Sequence, residues 1–350
     1  MGIQKTKFAS YCLNGIPEGC KRCVKGKKLV VFISGICNRN CWYCSLSEKR
    51  KNKDIIWINE REIKSINEMI KEVKESDADS AGITGGDAFL NFKRTIKYAK
   101  ALKETFGKKF QIHIYLPTKY ITKEKLKKLS KYVDEVRFHP EFLINENTEK
   151  EDIEKIRLAS LFWKKYNIGI ELPMIPEKRR EIFNFILKIK DFIGFVNLNE
   201  FELSETNFNL VTNKYPLLEN GYVIKGSREA GIWILKQAKK QKLKLKNLKI
   251  HLCTAETKNW HQYKNRLLQH KILPFGKRTR DGTVIYLVTN GKLKNNTNGS
   301  YYDKGKNRTI LSKTTAKKLL NKGTRVFRVE EHPTYDRMEV EKEELILKHN

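Results

Sequence analysis

No run of about 18 consecutive apolar residues occurs, which excludes a helix that spans a bilayer. The opening stretch, Met1-Gly2-Ile3-Gln4-Lys5-Thr6, has no apolar core, which argues against secretion and for the cytoplasm. There is no internal repeat and no heptad pattern, so neither a solenoid nor a coiled coil is expected. Acidic residues are scarce: 40 Asp and Glu stand against 71 Lys and Arg, a net charge of +31 over 350 residues. A packed core is nevertheless within reach, because 39% of the residues are hydrophobic. The length suits one large domain with appendages, or two domains.

The positive charge is uneven. From Lys225 to Arg328 there are 27 Lys and Arg against 4 Asp and Glu. A lysine-rich proteome would spread the excess along the chain, whereas a polyanionic partner would concentrate it. Trp260, Tyr263, Tyr301, Tyr302 and Phe327 interleave with these cations, a mixture suited to RNA phosphates and unstacked bases. The alternatives are an acidic protein partner and a merely solvated lysine surface.

The order of elements is regular. Apolar, β-branched runs at Lys28–Ser34, Ser80–Thr84, Phe110–Leu116, Val133–Phe138, Ile168–Pro173 and Gly194–Phe201 read as strands. Helical patterns at Asn59–Ser76, Arg94–Phe106, Lys123–Lys131, Glu149–Tyr166 and Lys178–Lys190 separate them. These six strand–helix steps before residue 205 predict a parallel α/β sheet with helices outside and a site at the strand carboxyl ends. Residues 1–27 read as an irregular cysteine-containing metal-binding segment. Residues 206–274 read as a basic helical extension with a strand at Asn247–Leu252, and residues 275–350 as a small basic α+β domain. Within that domain Asn290–Asn307 is expected to be an exposed loop.

Seven cysteines in a chain with no secretion signal are better candidates for metal ligands than for disulfides. Three fall in Cys37-Asn38-Arg39-Asn40-Cys41-Trp42-Tyr43-Cys44, directly after the first of the six strands. Structural thiols or part of a zinc site would be ordinary readings. Three thiols at these spacings would also leave one iron of a four-iron cluster without a protein ligand. The pattern Cys37-x3-Cys41-x-Tyr43-Cys44 resembles the signature of the radical S-adenosylmethionine (SAM) family, and residues 28–205 resemble relatives of pyruvate formate-lyase-activating enzymes.

That resemblance implies an open (βα)6 partial TIM-like barrel, a 4Fe-4S cluster on Cys37, Cys41 and Cys44, and SAM on the open iron. Thr84-Gly85-Gly86-Asp87 is similar to the family's Gly-Gly-Glu motif, with Gly85, Gly86 and Asp87 holding the SAM amino group and Asp in place of Glu. Tyr43 would meet adenine through its backbone, and His139 the ribose. Thr118, Glu171 and Asn199, at or near strand ends, are further candidates. The implied reaction is reductive cleavage of SAM to a 5′-deoxyadenosyl radical, with an electron donor such as ferredoxin or flavodoxin. Modification of tRNA or rRNA is the leading expectation, and hydrogen abstraction from a protein or peptide the alternative. Cys12, Cys20, Cys23 and Cys253 remain, enough for a second iron–sulfur cluster or a zinc, with His251 and His261 as substitutes for Cys253.

Overall fold

The computed structural model describes residues 2–219, 221–241, 245–293 and 297–346. Its main sheet has 11 strands: β1 (Gln4–Lys5), β2 (Tyr11–Leu13), β3 (Lys28–Phe32), β4 (Ile56–Ile58), β5 (Arg61–Ile63), β6 (Ser80–Thr84), β7 (Gln111–Pro117), β8 (Glu135–His139), β9 (Ile168–Met174), β10 (Phe195–Glu200) and β11 (Lys249–Cys253). The spatial order is β1-β2-β11-β10-β9-β8-β7-β6-β3-β4-β5. From β3 through β6 to β11 every neighbouring pair is parallel and the order never reverses. A series wound in one direction keeps its helices on one face, which is barrel topology rather than a doubly wound sheet. The barrel stays open, because the antiparallel pairs β4–β5 and β1–β2 flank its two edges.

The helices of this part are α1 (Glu18–Val24), α2 (Ile66–Glu75), α3 (Phe92–Phe106), α4 (Lys123–Leu129), α5 (Glu149–Leu158), α6 (Arg179–Ile189), α7 (Phe208–Thr212), α8 (Ser227–Lys240) and α9 (Tyr263–Gln269); α2 to α6 and α8 pack on the outer apolar layer, and α1 packs against β3, β6 and β7. No described helix is long and apolar enough to cross a membrane. Strand alternation sorts the side chains. Ile112, Ile114, Val136, Phe138, Ile170, Leu172, Val196, Leu198, Ile250 and Leu252 join the apolar layer under the helices. The alternate positions, among them His113, Arg137, Glu171, Asn197 and His251, put polar groups inside, where they are nearly inaccessible to solvent.

The interior is held by an ion network. Arg137 donates from Nε to Glu135 Oε1 at 2.7 Å and from Nη1 to Glu171 Oε2 at 2.9 Å. Glu171 Oε1 accepts from Asn199 Nδ2 at 2.8 Å. The start of α1 lies across the amino ends of these strands, and Gly19 N donates to Glu135 Oε2 at 3.3 Å. A Cβ on Gly19 would come within 2.6 Å of Arg137 Nη2 and 2.7 Å of His113 Nδ1, so only glycine lets the helix approach this closely.

Residues from 277 onward build a second, antiparallel sheet of β12 (Lys277–Arg278), β13 (Val284–Asn290), β14 (Ser300–Asp303), β15 (Arg308–Leu311), β16 (Phe327–Glu331) and β17 (Glu339–Glu344), with α10 (Lys313–Leu320) packed on it. Arg308 is buried there between Asp303 and Glu331.

Several expectations change. The N-terminal segment is not irregular: β2 pairs with β11, placing Cys12 opposite His251, although its three residues are too few to show a period. The helix expected from Asn59 starts at Ile66, because Asn59, at φ 53°, turns β4 into β5. Ser65 and Glu68 then form a capping box. The helix expected to reach Tyr166 stops at Leu158. The expected loop Asn290–Asn307 contains β14, while residues 294–296 lie outside the described residues.

Removing Arg137 would leave two buried carboxylates without their cation. Arg137→Ala is expected to lower stability by about 3–5 kcal/mol, read by chemical denaturation. A loss within experimental error would mean that the network contributes nothing to the fold.

Candidate functional site

The cysteine loop leaves β3 through Ser34 and Gly35, and the Gly85-Gly86 turn leaves the adjacent β6. The two are directly bonded. Ile33 N donates to Thr84 O at 2.9 Å, Gly86 N to Ser34 O at 2.8 Å, and Asp87 N to Ile36 O at 3.0 Å. A Cβ on Gly85 would lie 2.6 Å from Ser34 O, and one on Gly86 2.4 Å from Ile36 O. The absent side chains therefore do more than open a way for a ligand: they allow the backbones of the two loops to meet.

Other segments grip the cysteine loop. Arg39 donates to His139 O at 2.9 Å and Pro140 O at 3.1 Å, and pairs with Glu141 at 3.1 Å. Ser204 Oγ donates to Cys44 O at 3.3 Å. Trp42 stacks on Tyr215 with ring centroids 5.9 Å apart and meets Phe201 edge-on. Burial raises the pKa of the Tyr43 hydroxyl, and the neighbouring Cys41 adds to the rise. Burial raises the thiol pKa of both Cys37 and Cys41, and the Arg39 guanidinium opposes the rise at each.

These elements enclose a cavity of ≈ 510 Å³ at the carboxyl ends of the parallel strands, within the size range of small-molecule sites. Cys37, Cys41, Cys44 and Tyr43 form one wall, Gly85 and Gly86 another, and His139 and Asn199 face them. Burial holds His139 at a pKa of about 4, so its imidazole is neutral near neutral pH. Asp87 is not on the wall. It lies behind the glycines, 1% exposed, with Oδ1 accepting from Phe89 N at 2.8 Å and Oδ2 buried without a partner. Burial raises its pKa above the ordinary carboxylate value, and the Phe89 bond opposes this.

Two of the weaker candidates are engaged elsewhere: Thr118 donates to Asp152, and Glu171 belongs to the Arg137 network. Tyr115, Phe201, Glu202 and Lys258 also line the cavity and were not singled out from the sequence. Tyr115 had a visible signal, since it sits near the end of an expected strand. Lys258 had none, because it follows β11, beyond the six counted steps.

Cys12, Cys20, Cys23 and Cys253 are absent from the cavity wall. His261 packs edge-on against Phe8, and its neighbour Gln262 donates from Nε2 to Cys253 Sγ at 3.4 Å. All seven cysteines are unpaired. Among the described residues no group of three or more His, Cys, Asp or Glu side chains is arranged to hold one metal ion. A four-iron cube binds each thiolate at a different iron, so its ligands stand wider apart than those of a single ion. Three thiols on one wall, a turn without Cβ atoms beside them and an orphaned buried carboxylate oxygen behind it suit a cluster with a bound amino acid moiety.

Of the aromatics expected to meet RNA bases, Phe327 is buried in the second sheet and the Tyr263 hydroxyl is 2.6 Å from His332 Nδ1. Trp260 and Tyr301 are exposed.

The profile of the Radical SAM superfamily matches residues 31–171, a span that includes both loops. A protein of Methanocaldococcus jannaschii, provisionally named a glycyl-radical enzyme activating enzyme, is 38% identical over 287 residues, covering 80% of this chain and 75% of the relative. The family uses a 4Fe-4S cluster and SAM. A likeness of that extent, carried through the matched loops, means that this chain is an enzyme and belongs to the radical SAM superfamily.

Proposed function

We propose that the chain is an activating enzyme, which removes a hydrogen atom from a protein or peptide substrate. The observation that carries this reading is the name of the relative, to which the chain is similar over 80% of its length. RNA modification, the expectation raised by the basic region, has no comparable support. The setting is the cytoplasm, where seven unpaired cysteines stay reduced. The cycle needs a low-potential electron donor such as ferredoxin or flavodoxin.

In this reading Cys37, Cys41 and Cys44 hold the cluster, and the bound cluster and SAM together supply one-electron cleavage of the sulfonium and the carbon radical that takes the hydrogen. The chain's own residues position and shield. The Tyr43 ring, edge-on to Trp42, covers the loop beside Cys41. Arg39 fixes the loop to the end of β8, and Trp42, stacked on Tyr215, keeps water from that side. Backbone groups of Gly85 and Gly86 line the space for the SAM amino acid moiety, and the free Oδ2 of Asp87 attracts its ammonium. Neutral His139 and Asn199, whose amide Glu171 orients, offer hydrogen bonds to the ribose.

Cys37→Ala, Cys41→Ala and Cys44→Ala together are expected to abolish 5′-deoxyadenosine formation by reconstituted, reduced protein, measured by chromatography. Unchanged product would remove these residues from the chemistry. Asp87→Asn keeps an acceptor for Phe89 N but loses the charge, so the Kd for SAM is expected to rise about tenfold or more. An unchanged Kd would leave Asp87 a purely structural role. For the function itself, the reduced enzyme with SAM and a glycyl-radical protein is expected to give an organic radical on that protein by electron paramagnetic resonance. SAM cleavage without any protein radical would count against the activating reading.

A further inference from the structure

Four cysteines play no part in the cavity; on the inner side of the barrel Asn197 joins one of them, Cys20, to His251, and Cys20 and Cys23 lie within electrostatic reach of Cys253. Cys20 and Cys23 come from α1, while His251 and Cys253 come from β11. The alternation of β11 fixes their direction. Ile250 and Leu252 belong to the outer apolar layer, Leu252 lying against Gly231 of α8, so His251 and Cys253 point inward. Asn197, an inward residue of β10, joins the two segments: its Oδ1 accepts from Cys20 Sγ at 3.6 Å and lies 2.6 Å from His251 Nδ1. Its own Nδ2 donates to Asn199 Oδ1 at 3.3 Å, which fixes the amide orientation.

Two observations point to a ligand. His251 is 0% exposed, and its Nε2 has no hydrogen-bond partner. With Nδ1–H donating to Asn197, the free lone pair sits on Nε2, as in a metal-binding histidine held by a carbonyl behind it. Each thiol also lies near a cation. Arg137 Nη1 is 3.3 Å from Cys20 Sγ, and Lys28 and Lys258 act electrostatically on Cys23 and Cys253. Arg137 also binds Glu135 and Glu171, and Lys258 pairs with Glu202 at 3.1 Å, but the positive charge they bring beside the sulfurs suits thiolates bound to a metal centre.

We propose that Cys20, Cys23, Cys253 and His251 hold a second iron–sulfur cluster inside the barrel, separate from the cysteine loop. Zinc would need four ligands around one ion, and no three described His, Cys, Asp or Glu side chains are arranged that way. A four-iron cube accepts the wider spacing. Cys12, opposite His251 on β2, is not needed for its four corners. The centre closes the amino end of the barrel by joining α1 to β11.

The test is iron, sulfide and zinc analysis with electron paramagnetic resonance of anaerobically reconstituted, reduced full-length protein. The unaltered chain is expected to hold about eight irons, and the C37A/C41A/C44A variant about four irons with a reducible cluster signal. Adding C20S and C253S to that variant is expected to remove both the iron and the signal, with circular dichroism checking the fold. About four irons in the unaltered chain, all lost from C37A/C41A/C44A, would overturn the proposal, as would about one zinc and no iron in that variant. Because C37A/C41A/C44A lacks the SAM-cleaving site, this result is independent of whether the activating function is right.

Discussion

The site depends on a close approach between two stretches of backbone. Residues 33–36 and 84–87 exchange hydrogen bonds that only two adjacent glycines permit, because any Cβ at Gly85 or Gly86 would collide with a carbonyl oxygen of the facing loop. Each bond contributes only about 1 kcal/mol, but together they set the height and angle at which the cysteine loop leaves the sheet. Arg39 then ties the loop to β8, and Trp42 ties it to Phe201 and Tyr215 beyond β10. The thiols are thus positioned by contacts with strands β6, β8 and β10, although they lie within eight residues of sequence.

The sheet divides its work by face. The outer side chains are apolar and pack against helices, which supplies the stability. The inner ones are ionic, hydrogen-bonded and specific: Arg137 satisfies Glu135 and Glu171, and Glu171 orients Asn199 at the cavity floor. A substitution deep in the barrel therefore reaches the cavity through a chain of oriented polar groups, from Arg137 through Glu171 to Asn199.

Much of this was legible in the sequence, for identifiable reasons. The six strands were visible as β-branched runs, and the cysteine loop and Gly85-Gly86-Asp87 turn stood at the ends of two of them. β1, β2, β4 and β5 escaped because two or three residues carry no period, and their register is set by partners rather than by their own side chains. Thr118 and Glu171 looked available at strand ends; Asp152 and Arg137 had already claimed them. Lys258 could not be placed without knowing that β11 continues the parallel series. The charge excess of the last third suggested a base-stacking surface, yet Phe327 had been committed to a core.

The pairing of β2 with β11 has a consequence for how the molecule comes into being. Cys12 faces His251 across that ladder, so the β1–β2 hairpin cannot join the sheet until almost three quarters of the chain exists. Contacts of such sequence separation form late, since the entropy of a long loop is lost before the ladder compensates for it. On the ribosome β1 and β2 must wait while the parallel strands assemble, although α1 can dock on β3, β6 and β7 earlier, and the β2 edge of the sheet forms last. Covering of the β11 edge therefore needs both the N-terminal strands and the segment beyond the six-strand series.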